Sequence, residues 1–134
     1  MRQAKLCGGI VLLCVIGCTN PQAYVDVARE QRDARKEIAE ILETVHDEKS
    51  MANAKKKLDD RQAHYEAIAR KASALPQNPS EEVKKRLEQE RYLMDRAMER
   101  LQEQITRVSK MPGGKDFFKH FESSSQNLFL AVQP

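Results

Sequence analysis

Cys14 and Cys18 bracket the stretch CVIGC, and a thiol is the side chain in this part of the sequence best able to form a covalent bond. A basic start at Arg2 and Lys5, an apolar run from Leu6 to Ile16 and the small residue Gly17 precede Cys18. About 20 apolar residues are needed to cross the hydrocarbon layer of a bilayer, and this run is far shorter. Residues 1–17 are therefore expected to be a secretory signal and not a spanning anchor. Cys7 and Cys14 would leave with that signal, so Cys18 has no partner for an intramolecular disulfide. An unmodified lone thiol in an oxidising compartment is a liability.

Other reactive side chains are poorly placed for chemistry. His46, His64 and His120 are the only histidines, and none forms an HxxxH or HExxH pair. The run His46-Asp47-Glu48 offers metal-ligand types, but adjacent residues point in different directions, so no metal site is expected. Asp59 and Asp60 are neighbours and cannot flank one bond as an acid and a base. The PGGK at 112–115 lacks the spacing of a phosphate-binding loop. No Ser-His-Asp pattern is present, and with Cys18 modified there is no candidate nucleophile, so a non-enzymatic protein without catalytic residues is expected.

Val15, Ile16, Gly17 and Cys18 resemble the lipobox of bacterial lipoprotein precursors. The resemblance covers only about the first twenty residues. It implies cleavage after Gly17, a diacylglyceryl group on the Cys18 thiol and an N-acyl chain on the new amino terminus, with no other cofactor. It also implies a cell-envelope, extracytoplasmic location; Thr19 in place of Asp after the cysteine resembles an outer-membrane address in bacteria that sort by that position. Two or more acyl chains, at about 0.8 kcal/mol per buried methylene, suffice for lasting attachment. A second, weaker resemblance joins ILETVHDEKSMANAKKKLDD at 41–60 to a helix-turn-helix segment of small helical bacterial proteins, with no activity to transfer.

The elements behind these residues read as helices. Asn20 before Pro21 has the form of an N-cap and first helical residue. Tyr24, Val27, Ala34, Ile38, Ile41 and Val45 then recur at helical spacing, with Gln31 the polar exception. Past Val45 the series lands on polar residues, and a new one starts at Met51, Ala54, Leu58, Tyr65, Ile68, Ala72 and Leu75, broken only by Arg61. That phase jump predicts a break near Asp47, which would cap the second helix. Two prolines in LPQNPS forbid a regular helix there. Ser80 is expected to cap a third helix that begins with Glu81 and Glu82, carries Val83, Leu87, Met94, Ala97, Leu101, Ile105 and Val108, and stops at MPGG. Glu81–Lys85, Glu82–Arg86 and Glu103–Arg107 are acid-first i,i+4 pairs.

Helices over 21–46, 48–75 and 81–111 would be about 39, 42 and 46 Å long at ~1.5 Å per residue. Such matched lengths with short connections predict an all-α, up-down-up three-helix bundle with coiled-coil-like packing over 21–111, joined to Cys18 by a tether at 18–20. Residues 112–134 hold all four phenylalanines, Phe117, Phe118, Phe121 and Phe129, with a short helix expected from Lys115 to Glu122. This tail reads first as a lid on the bundle's open end and second as an apolar patch for a protein partner.

Composition narrows the function classes. Charged residues make up 32% and aromatic residues 5%, which favours long solvated helices. The charge is +3, from 23 basic and 20 acidic residues, and falls to 21 against 20 without Arg2 and Lys5. The signs alternate, so no concentrated basic field marks a nucleic-acid partner, and the KKK at 55–57 reads as a solvated face with no interleaved aromatic. No small-molecule substrate is implied. The expected protein is a membrane-held helical interaction or structural element, with a protein partner or self-association through the same apolar seams. The competing expectation is a small inhibitor, immunity or chaperone-like protein acting through its Phe-rich tail.

Overall fold

The computed structural model describes residues 20–120, and these are all-α: α1 (Pro21–Glu43), α2 (Glu48–Ala74), α3 (Glu81–Ser109) and a short α4 over residues 114–120. No strand occurs among the described residues.

Each long helix starts where a side chain can take up a free backbone N–H. The Asn20 side chain accepts from Gln22 N at 3.0 Å, ahead of Pro21, which lacks an N–H to satisfy. Asp47 Oδ1 accepts from Ser50 N at 2.7 Å while Ser50 Oγ accepts from Asp47 N at 2.9 Å, a reciprocal capping box. Ser80 Oγ accepts from Val83 N at 3.3 Å, and Glu81 and Glu82 occupy the first turn of α3.

The helix ends come earlier than the spacing predicts. α1 stops at Glu43, not 46, because Thr44 N and Val45 N turn back to Ile41 O and Leu42 O, at 3.2 and 2.9 Å. α2 stops at Ala74, where Leu75 adopts the extended conformation that a following proline requires. α3 stops at Ser109 and the chain reverses through Gly113, whose φ of 77° suits glycine. Gly114 sits so close to the Val108 carbonyl that any Cβ there would collide with it, so both glycines of MPGG are required.

α1 is the helix on which the other two pack, α3 more extensively than α2, while α2 and α3 approach each other closely hardly at all. The side-chain bonds give the directions. Tyr24 OH donates to Pro76 O, Lys71 meets Glu30 and Arg61 meets Glu37, so α1 and α2 run antiparallel. Arg29 meets Glu90 and Arg100 meets Glu43, so α1 and α3 run parallel.

This central position explains a stripe on α1 wider than the sequence spacing suggests. Besides Tyr24, Ala34, Ile38 and Val45, α1 and its end bury Val25, Arg35, Ala39 and Leu42. The main apolar cluster joins Ile38, Leu42 and Val45 to Met51, Leu58, Ile68, Leu101, Val108 and Phe117 among others. Tyr24, Val25 and Val83 are buried outside that cluster.

Arg61 and Glu90, polar positions in line with the apolar series of α2 and α3, are answered by partners. Arg61, the break in the α2 series, holds Glu37 with two bonds of 2.8 and 3.1 Å, and buried Tyr65 donates to the same carboxylate at 3.2 Å. Burial is the main cause that pushes the Tyr65 hydroxyl pKa up. Glu90 falls between Leu87 and Met94 on α3 and receives Arg29 Nε at 2.8 Å and Arg32 Nη1 at 2.9 Å.

Candidate functional site

The sequence-predicted site residues fall into two groups. Gly17, Cys18, Phe121 and Phe129 lie outside the described residues, as does the leader. Phe117 and Phe118 lie within them, on α4, at the pole where α1 ends, α2 begins and α3 turns back.

That pole is assembled by backbone chemistry. α1 has no basic residue in its last turn, so its free carbonyls lack a local cation. Arg107, from α3, supplies one: Nη1 donates to Val45 O and Nη2 to Leu42 O, both at 2.7 Å, while Nε donates to Gln104 at 2.8 Å. The expected Glu103–Arg107 pair is not formed, because these carbonyls take the guanidinium instead. Glu81 likewise pairs with Lys84 at 2.6 Å in place of Lys85, whereas Glu82–Arg86 forms at 2.8 Å.

Past the glycines, Phe117 N donates to Gly113 O at 2.9 Å and α4 folds back onto the core. Phe117 is buried at 6% exposure within the main cluster, and half-buried Phe118 packs against that cluster. Their rings meet edge to face, with centroids 5.0 Å apart and planes at 88°. Both aromatics are therefore engaged in holding α4 on the body.

Beside them, Lys55 Nζ donates to Asp59 at 2.7 Å and lies 2.9 Å from His120 Nε2, which is 3.3 Å from Asp59. This trio ties α4 to α2. It is largely open to water, so its energetic weight is small. The remaining histidines lie apart: His46 is 3.6 Å from Asp47, and the His64 ring sits against Tyr65 with centroids 5.9 Å apart. Among the described residues no group of three His, Cys, Asp or Glu could hold a metal ion. Lys56 of the KKK run is paired with Asp60 at 3.2 Å.

Three carboxylates here have their pKa values held below the ordinary range. The hydrogen bond from Arg100 is the main cause at Glu43, that from Ser50 at Asp47, and that from Lys55 at Asp59. A depressed folded-state pKa stabilises the fold at pH values above the unfolded carboxylate pKa, about 4, and the contribution is lost as pH falls through the lower folded value. Circular-dichroism melts should show little change between about pH 7 and 5 and a fall of a few degrees on going to about pH 3. A melting temperature that rises on acidification contradicts this assignment.

No described helix is long and apolar enough to cross a membrane. The chain matches no protein-family model, and neither curated proteins nor solved structures show significant similarity to it.

Proposed function

We propose that the protein is a lipoprotein of the bacterial cell envelope, cleaved after Gly17 and acylated at Cys18, whose helical body serves as a non-enzymatic interaction or structural element. The observation that carries the reading is the run Val15-Ile16-Gly17-Cys18 at the end of a short apolar segment. α1 begins at Pro21, capped by Asn20, so only Thr19 separates the acylated residue from the cap. A tether of two or three residues at about 3.5 Å each leaves the body close to the bilayer.

The Tyr24–Pro76 bond, 2.9 Å long, joins the start of α1 to the end of α2. In a single anchored copy, the 75–80 connection is then the pole nearest the lipid, with His46 and Pro112 at the far pole. The body itself is an up-down-up bundle with coiled-coil-like seams built around α1. Thr19 after the cysteine favours the outer membrane in a host that sorts lipoproteins by that position.

Metabolic labelling with a fatty-acid analogue, comparing wild type with Cys18→Ala, tests the reading. Label on the wild-type chain and none on the variant, with the variant's leader left uncleaved, is the expected result. Label retained by the variant, or an exported wild-type chain bearing a bare thiol at residue 18, would falsify it.

A further inference from the structure

The outward face of α3 carries charged side chains that the ion pairs among the described residues leave unused. On α3, Glu81, Glu82, Glu90 and Arg100 have ion-pair partners, while Arg91, Asp95 and Glu103 have none among the described residues. Lys85, Glu88, Arg96 and Glu99 are exposed, and none of their side chains has an ion pair or hydrogen bond among the described residues. At their centre stands Tyr92, at 65% the more exposed of the two large apolar side chains left open among the described residues.

These five residues share one face. At 100° per residue they fall within about 80° of arc, opposite the buried stripe of Val83, Ala97, Leu101 and Val108. Their spacing is three, four, four and three residues, which is symmetric about Tyr92. The charges are antisymmetric about the same point: positive, negative, tyrosine, positive, negative.

We propose that this face pairs with the same face of a second copy, in antiparallel register centred on Tyr92. A two-fold axis through that point sets Lys85 opposite Glu99 of the second copy and Glu88 opposite its Arg96, and the symmetry repeats both pairs. Four opposite-charge pairs then flank two tyrosine rings, at a helix separation of about 8–10 Å that these side chains can span. Parallel pairing in register sets Lys85 against Lys85 and Glu88 against Glu88, so charge decides the direction. One position opposes the pairing: Glu103 faces Glu81 of the second copy.

The pairing does not depend on the lipid anchor. It puts the two α1 N-termini at opposite poles, so anchors attached to them enter one bilayer when the pair lies along its surface. It thus changes the posture proposed above for a single copy.

Sedimentation equilibrium in detergent of the chain as isolated from cells, at low and high salt, provides the test. Wild type is expected to dimerise, with weaker association at high salt. Arg96→Glu alone and Glu88→Arg alone should each weaken dimerisation about tenfold or more, because the two-fold doubles each repulsion. An equimolar mixture of these two variants should dimerise with about wild-type affinity, since every facing pair is again opposite in sign. Glu103→Lys should tighten dimerisation by a few fold. Circular dichroism of each variant establishes that the helices are intact. A wild-type chain that stays monomeric up to about 100 μM, a mixture no tighter than its components, or an Arg96→Glu chain that pairs with wild type but not with Glu88→Arg overturns the proposal.

Discussion

Phe117→Ala should lower the stability of the body by about 3 kcal/mol, the low end of the range for truncating a buried aromatic. For a body of about 100 residues this is a fall in melting temperature on the order of 15 °C. The expectation rests on placement: Phe117 is 6% exposed, belongs to the cluster that contains Leu42, Leu58, Leu101 and Val108, and meets the Phe118 ring edge to face. Its removal leaves a void that the neighbouring glycines cannot let the chain close, since Gly114 already lies against the Val108 backbone. Phe118→Ala, at a half-buried position, should cost about 1 kcal/mol. Thermal melts of both variants read the difference directly. A Phe117 variant that melts within a degree or two of wild type shows that the side chain does not close the bundle and returns it to the surface as a docking residue.

The caps and breaks of this fold could be read from the sequence because they depend on a few neighbouring residues. Asn20-Pro21, Asp47, Ser80 and MPGG act through backbone N–H groups or a required φ within one turn, and local chemistry settles them. The second seam of α1 could not be read the same way. A spacing search finds one apolar stripe, whereas a central helix buries two, and the stripe formed by Val25, Ala39 and Leu42 is interrupted by Arg32 and Arg35. Charged residues at those positions suggest solvent until Glu90 and Met94 of α3 are known to face them.

Arg107 illustrates a further limit of local reading. Its best local partner in sequence is Glu103, four residues earlier, and an exposed pair of that kind is worth only a few tenths of a kcal/mol. Two carbonyls at the end of α1 are the stronger claim on a guanidinium, and nothing within α3 reveals them. The chemistry at Cys18 has the reverse character: the motif is local and legible, while its consequence lies in a lipid that the polypeptide does not contain.

Arg35→Met should raise stability by about 1–3 kcal/mol, against the usual direction for a substitution in a packed seam. Arg35 is 1% exposed on α1 and lies at the contact with α3. Its Nη1 donates to the Met94 sulfur, a weak acceptor, and its Nε has no hydrogen-bond partner among the described residues. Among the described residues no carboxylate forms an ion pair with it; Glu90 takes Arg29 and Arg32, and Glu43 takes Arg100. Burial alone pushes its pKa down, as desolvation does to any cation that no anion compensates. Methionine keeps the unbranched length, propagates a helix well and removes the buried charge along with its unmet donor. Arg35→Ala removes the charge too but leaves a void, so it should be less stable than Arg35→Met by about 1 kcal/mol or more. Chemical denaturation of the two variants beside wild type separates the terms, since both lose the cation and only one loses the packing. If Arg35→Met is the less stable by more than about 1 kcal/mol, the guanidinium has a compensating partner in solution, and the α1–α3 seam owes part of its strength to a charge.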